Sequence, residues 1–271
     1  LDIKNEDIKK RDGICFYNIK SEPFTIHGLY DPKNGTDYIR LPLDVAEATS
    51  PSVKGLNYHT AGGRVRFRTS STYVALKVVT RGSAKMTNMC LIGSSAFDMY
   101  VARGGVDTFA AIFSPPYDYK EGYESIVGLP AGDKDITINF PLYSGVMEVY
   151  LGLDKSSSLE RRADYKFTKP VLYYGSSITQ GGCASRPGLA YESLISRRLD
   201  TDYINFGFSG SAKAEDVICN YMASLDYSVF VSDYDHNAPS IEYLAQTHEK
   251  LYKTIRAAHP DVPVVFVGRP D

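Results

Sequence analysis

Three short stretches of this chain hold residue types that could carry out acyl chemistry: Gly175-Ser176-Ser177-Ile178-Thr179-Gln180-Gly181-Gly182, Asn205-Phe206-Gly207-Phe208-Ser209-Gly210 and Asp233-Tyr234-Asp235-His236-Asn237-Ala238-Pro239. A serine hydroxyl in a loop of small residues can attack a carbonyl once a base takes its proton and donors stabilise the oxyanion. Each stretch also has a plain reading. A Gly/Ser loop is commonly a tight turn or a phosphate cradle, an Asn-x-Gly stretch a turn, and an asparagine before Ala-Pro a cap. The phosphate reading lacks its lysine, since no GxxxxGK[ST] or GxGxxG pattern is present. The strained Gly-x-Ser-x-Gly elbow is absent as well, because Thr179 and Ser211 stand where its last glycine would fall around Ser177 and Ser209.

The elements that must position these loops follow from periodicity. From Ile14 to Leu153 short runs rich in Val, Ile, Tyr, Phe and Thr alternate with turn clusters such as Gly62-Gly63, Gly104-Gly105 and Ala131-Gly132-Asp133. The expected strands are Ile14–Ile19, Arg64–Thr69, Tyr73–Thr80, Phe97–Arg103, Thr108–Phe113, Asp135–Phe140 and Met147–Leu153. In Arg64-Val65-Arg66-Phe67-Arg68 the arginines are expected to face water and Val65 and Phe67 the core. No helix longer than about two turns is expected before Tyr165, and the reading is a β-sandwich. After Lys169-Pro170 strands and helices alternate: strands Val171–Tyr174, Asp202–Phe206, Tyr227–Ser232 and Val262–Val267, with helices Ala190–Leu199, Ala214–Ser224 and Ile241–Ala258. That pattern implies a parallel sheet with helices on both faces, and each of the three loops follows a strand, where functional loops of such sheets lie. The polar stretch Lys155–Lys166 is the linker candidate, dividing the chain into 1–165 and 166–271.

Taken together and in this order, the three stretches resemble the conserved blocks of SGNH (GDSL-like) hydrolases, in a subgroup with Gly-Ser-Ser-Ile-Thr in place of Gly-Asp-Ser. The resemblance covers about Lys169 to Asp271. It implies a flavodoxin-like three-layer α/β fold, Ser177 as nucleophile, Gly210 as the oxyanion glycine and Asn237 as the third block's asparagine. The physical reading agrees: the N–H groups of Ser177 and Gly210 and the Asn237 amide would converge as donors, each worth about 2.7–4 kcal/mol of barrier. The first half resembles, more loosely, the jelly-roll-like sandwich that precedes such hydrolases in bacterial carbohydrate esterases. The activity implied is hydrolysis of a small acyl ester, plausibly acetyl on a carbohydrate, through an acyl-enzyme on Ser177.

One part of the pattern is missing. The family's Asp-x-x-His block follows a fifth strand, and here only four strand signals follow Lys169 before Asp271. The expectation is a C-terminally truncated form that turns over substrate poorly. Of the five histidines, His27 and His59 are read as turn or surface residues of the first half and His248 and His259 as solvent-facing. His236 adjoins the site, and equal activity of a longer chain would make it the first suspect as base.

Composition sets the outer limits. The 271 residues, 43% hydrophobic and 23% charged, are those of a globular protein of one large or two ordinary domains. A net charge of −2 provides no field favouring nucleic acid, and no run of about 18 apolar residues suits a membrane span. Cys15, Cys90, Cys183 and Cys219 have no metal-ligand spacing and are read as thiols or at most one bridge. No cofactor or metal is expected, the partner being a small-molecule or carbohydrate ester. No signal peptide is visible, which leaves a periplasmic or secreted location open. Two other readings stand beside the esterase: a carbohydrate-binding protein using some of its 21 tyrosines with an inert hydrolase-like part, and a lysolipid or thioester hydrolase on the same site.

Overall fold

The computed structural model describes residues 1–268; Arg269 to Asp271, the end of the expected 166–271 half, lie outside the described residues. The first half runs through α1 (Glu6–Lys9), β1 (Ile14–Asn18), β2 (Thr25–His27), α2 (Leu43–Thr49), α3 (Pro51–Leu56), β3 (Arg64–Thr69), β4 (Tyr73–Thr80), α4 (Leu91–Ser95) and β5 (Phe97–Arg103). It continues with β6 (Val106–Phe113), β7 (Gly122–Gly128), β8 (Lys134–Asn139), β9 (Val146–Asp154) and β10 (Leu159–Glu160). These strands form two antiparallel sheets, ordered β1-β9-β4-β7 and β10-β3-β8-β5-β6, with β2 also paired to β3. Alternate residues of both sheets meet in one core: Val74, Leu76 and Val78 of β4 with Val65 and Phe67 of β3 and Ile136 and Ile138 of β8. The longest helix here, α2, has seven residues, so the two-turn ceiling holds. Short helices are nonetheless present. Ser50 ends α2 and caps α3 by accepting from the Val53 amide, and Pro51 takes the first-turn position that needs no N–H.

Two expectations change. Residues 155–166 are tied to a sheet, since Leu159 and Glu160 pair with Thr69 and Arg68. The arginines of β3 do not all face water: Arg64 and Arg66 are each 2% exposed. The face of β3 opposite its core is covered by other parts of the chain. The Arg64 guanidinium lies 3.9 Å from the centre of the Tyr203 ring and that of Arg66 3.7 Å from Tyr165. Alternation separates two faces of a strand but does not say what covers the polar one.

The second half contains β11 (Phe167–Gly175), α5 (Ser177–Gln180), α6 (Tyr191–Leu199), β12 (Thr201–Gly207), α7 (Asp216–Ser224), β13 (Val229–Ser232), α8 (Ile241–Ala258) and β14 (Val264–Phe266). The sheet is parallel throughout, in the order β12-β11-β13-β14. One face packs Val171, Tyr173 and Tyr203 against Tyr191 of α6. The other packs Leu172, Tyr174, Phe206 and Phe230 against Ile218 and Met222 of α7 and Leu251 and Ile255 of α8. Leu41, Ala46 and Val53, from the first half, join that second core. The chain leaves β11 toward one side and β13 toward the other. The crevice at their carboxyl ends is therefore the topological switch point, where open α/β sheets bind ligands. The four cysteines are free thiols, and no helix among the described residues is long and apolar enough to cross a membrane.

Candidate active site

β11 ends at Gly175, Ser176 caps α5, and Ser177 opens that helix, partly exposed at the switch point. The turn beneath it is clamped from β13. Asp233, buried at the first position after that strand, accepts from the Ser176 amide at 2.7 Å and the Thr179 hydroxyl at 2.8 Å through Oδ1, and from the Ser176 hydroxyl at 2.9 Å through Oδ2. Ser176 Oγ in turn accepts from the Ile178 amide at 3.1 Å, capping α5. A Cβ on Gly175 would stand 1.6 Å from Asp233 Oδ1, so only glycine lets the carboxylate close on the turn. Three hydrogen bonds to one carboxylate thus fix the backbone that carries Ser177.

The other two loops are bonded to this turn. The Phe208 amide donates to the Gly175 carbonyl at 2.9 Å, the Asn205 side chain to the Thr179 carbonyl at 2.6 Å, and the Ser209 amide to Gln180 Oε1 at 2.9 Å. Gly210 follows with φ +67°, in the left-handed region and with open space around the position of a Cβ; backbone conformation calls for glycine there. Asn237 ends a single 3₁₀ turn, Tyr234–Asn237, and donates through Nδ2 to the Phe208 carbonyl at 3.1 Å. Ser177, Gly210 and Asn237 therefore lie on three loops laced together, with Phe208 as the common tie. The buried Arg40 supports the second loop from below, donating to the Gly207 carbonyl at 2.5 Å and lying 4.3 Å from the Phe208 ring centre. Among the described residues no group of three or more His, Cys, Asp or Glu side chains is placed to hold a metal ion.

The histidines depart from expectation. His59 is not a surface residue of the first half: its Nδ1 lies 3.1 Å from Gln180 Nε2, and its ring 5.8 Å from that of Tyr143, whose hydroxyl donates to the Ser177 carbonyl at 3.2 Å. Burial, and then the charge of Arg40, lower the His59 pKa to about 4. His27 bridges to the second half, with Nδ1 3.0 Å from Asp202 Oδ2. Neither His248 nor His259 faces solvent freely. The His248 ring packs 4.3 Å from Phe266; His259 packs 4.4 Å from Tyr227, with Nε2 3.0 Å from the Ala223 carbonyl. His236 lies in the Asn237 turn, its amide bonded to Asp235 Oδ1 at 3.0 Å. Sequence reasoning held Asp233, Asn205 and Gln180 within the three stretches without giving any of them a role of its own, gave His59 a turn or surface role, and passed over Arg40 and Tyr143. An acid directly after a buried strand was the signal for Asp233; the others show themselves only in the fold.

Under the clamp lies a second acid. Glu192, in the first turn of α6, is wholly buried, and neither carboxyl oxygen has a hydrogen-bond partner among the described residues. Burial, and in smaller measure the charge of Asp233, push its pKa well above the ordinary 4.5. The folded state therefore keeps this proton where the unfolded chain has lost it. Stability is then full below pH ~4.5 and falls as pH rises above it, by at most about 1.4 kcal/mol per pH unit. Glu192→Gln, which cannot ionise, is expected to melt at a higher temperature than the parent at pH 8, with the gap closing toward pH 5. A gap independent of pH in thermal melts would show that Glu192 is charged in the fold.

Comparison with known proteins gives a family match for each half of the chain. Residues 14–159 match the family model for the N-terminus of SGNH-hydrolase-type esterases, and residues 168–271 that of the GDSL-like lipase/acylhydrolase family. A solved structure described as a GDSL-like lipase from Bacteroides ovatus is 25% identical, with a TM-score of 0.85 over 93% of this chain and 73% of its own. A salicylyl-acyltransferase from a tetracycline biosynthetic pathway is 21% identical, with a TM-score of 0.73 over 94% of this chain and 72% of its own. An acetyl xylan esterase from the rumen bacterium Butyrivibrio proteoclasticus, 11% identical, gives 0.58 over 94% and 81%. No curated protein matches the chain. On its two matched halves, the chain belongs to the GDSL-like, or SGNH, hydrolase family, in the branch whose hydrolase part follows this N-terminal module.

Proposed function

We propose that the chain is a serine esterase that removes a small acyl group, acetyl foremost, from a carbohydrate-type alcohol. The family and its neighbours support an ester hydrolase or a related acyl-transferring enzyme. The observation that carries the finer reading is the lacing of the Ser177 turn to the Gly210 and Asn237 loops through Asp233 and Phe208. In this reading Ser177 Oγ attacks the ester carbonyl as its proton passes to a base. The carbonyl oxygen, now negative, is met by the Ser177 and Gly210 amides and by the second N–H of Asn237, the first being bonded to Phe208. Collapse breaks the bond to the alcohol, which takes a proton, and water then hydrolyses the acyl-serine. His27, His248 and His259 have contacts that engage them elsewhere, His59 is held by Gln180 through its acceptor nitrogen, and His236 is the histidine that the site's own loops carry. In the same reading the division falls at 1–165 and 166–271, and the two antiparallel sheets form a sandwich of jelly-roll type.

A fluorophosphonate tests this directly, since it transfers its phosphorus only to an activated serine oxygen, with loss of fluoride. The expected result is one adduct per chain, mapped by peptide mass spectrometry to Ser177 and lost in Ser177→Ala. An adduct on another serine, or none at all, would overturn the assignment of the nucleophile.

A further inference from the structure

Beside the Ser177 turn lies a hollow of about 300 Å³, walled by Tyr58, His59, Arg81, Ser83, Tyr143 and Gly145, all from the first half of the chain. Its volume is at the lower end of small-molecule sites, roughly 300–1,000 Å³. Tyr143 joins it to the Ser177 backbone, because the hydroxyl of this wall residue donates to the Ser177 carbonyl alongside the Gly181 and Gly182 amides. His59 joins it to the same helix through Gln180.

The tautomer of His59 can be deduced. The Ser209 amide donates to the side-chain oxygen of Gln180, so the other end of that amide is its NH2 group. This NH2 group donates to the Leu142 carbonyl at 3.2 Å and faces His59 Nδ1 at 3.1 Å. His59 Nδ1 must therefore accept, and the ring proton resides on Nε2. The lowering of the His59 pKa to about 4 agrees, since a charged ring would need both nitrogens to donate. His59 presents one fixed, uncharged N–H donor, and its acceptor nitrogen is already used.

The remaining charges around the hollow cancel. Arg81 is held by both oxygens of Asp37, at 2.7 and 2.8 Å, while its guanidinium lies 4.2 Å from the centre of the Tyr58 ring. An anionic ligand would have to take Arg81 from a paired carboxylate, and a cationic one finds no free acid on the walls. What fits is an uncharged ring bearing hydroxyls: tyrosine surfaces for its C–H faces, and His59 Nε2–H and the Ser83 hydroxyl for its oxygens.

We propose that this hollow is the subsite for the alcohol half of the ester, taking one neutral saccharide ring, with His59 Nε2–H donating to a ring oxygen or hydroxyl. The proposal rests on Ser177 being the nucleophile. It makes His59 a specificity residue and gives the first half of the chain a direct part in substrate choice.

The test compares hydrolysis of a mono-O-acetylated methyl xyloside with that of p-nitrophenyl acetate, whose alcohol half carries no hydroxyl for His59. In His59→Ala, KM for the saccharide is expected to rise about five- to tenfold, the loss of one neutral hydrogen bond, with kcat changed less than twofold. The ratio of kcat/KM for the saccharide to that for p-nitrophenyl acetate should fall by a similar factor. Ser83→Phe, which fills the hollow, should shift the same ratio, and His59→Asn, which keeps a donor, should recover part of it. An unchanged ratio in both His59→Ala and Ser83→Phe overturns the proposal, as does a fall in kcat at constant KM. Should Ser177→Ala hydrolyse both esters as fast as the parent, the esterase reading itself has failed. Calorimetric titration with unacetylated methyl xyloside then decides the subsite alone: binding lost in both wall variants supports it, and binding retained overturns it.

Discussion

With His236 taking the serine proton, Ser177→Ala is expected to lower the rate of p-nitrophenyl acetate hydrolysis by at least about a thousandfold, while the melting temperature stays within a degree or two of the parent. The first expectation follows from covalent catalysis: without the hydroxyl no acyl-enzyme forms, and what remains is the effect of binding and oxyanion donors. The second follows from where the hydrogen bonds of the turn run. They pass through the Ser176 amide and hydroxyl, the Thr179 hydroxyl and Asp233, and through the carbonyl of Ser177 rather than its side chain. Asp233→Ala makes the contrast. It leaves three donors without their acceptor, two of them buried hydroxyls, and should lower activity and melting temperature together. Initial rates and thermal melts on the two variants separate the group that reacts from the group that holds it. Retention of more than about a tenth of the rate in Ser177→Ala would remove Ser177 from the mechanism.

Arg64→Met is expected to be among the most destabilising single changes outside the apolar cores, costing about 3–5 kcal/mol. The guanidinium is buried between the halves. It pairs through Nη2 with Asp202, donates through Nε to the Tyr165 hydroxyl at 2.9 Å and through Nη1 to the Gly62 carbonyl at 2.5 Å, and stacks on Tyr203. Removing it strands the Asp202 carboxylate, which is 19% exposed, with His27 as its remaining side-chain partner. A change of this size corresponds to a fall in melting temperature of roughly 6–20 °C for a chain of this length. Asp202→Asn and the double variant complete a cycle. The double variant should be less unstable than the sum of the singles, because the cost lies in leaving one charge buried alone. Additive losses would mean that the pair is not coupled.

How much of this was legible beforehand depends on the range of the forces involved. Strands Arg64–Thr69, Tyr73–Thr80 and Phe97–Arg103 and helix Ile241–Ala258 have the bounds their periodicity implies, since each repeats a pattern set by its own packing face. β7 escaped notice because Gly122, Glu124, Ser125 and Gly128 dilute its apolar signal, and it is ordered by pairing with β4. α2 and α3 escaped because each is under two and a half turns and draws its stability from a distant core. In the site, the three loops were readable because glycine, serine and asparagine at strand ends are locally unusual. Gln180, His59 and Tyr143 were not, because the first half brings the last two to the turn, His59 across 121 residues of chain and Tyr143 across 34. The same limit misjudged Arg64 and Arg66, whose polar face meets protein rather than solvent.

The insertion of Leu41, Ala46 and Val53 into the core under Phe206 and Ile218 has a consequence for biosynthesis. On a ribosome adding roughly 5–20 residues per second, the α2–α3 segment emerges some 10–30 s before the strand and helix that complete its surroundings. During that interval Ala46 and Val53, fully buried in the finished protein, lack the second-half side chains of the core they join. The catalytic half in turn cannot close its own interior from residues 166 onward. Folding of the two halves is thus ordered in time by a contact of very long range, the kind that slows closure and leaves apolar surface open to chaperones or to neighbouring chains. Exchange of the N-terminal module between relatives is constrained in the same way. A crossover placed between the sheets would separate Val53 from its neighbours, and a working chimera must carry residues 41–56 together with the hydrolase they complete.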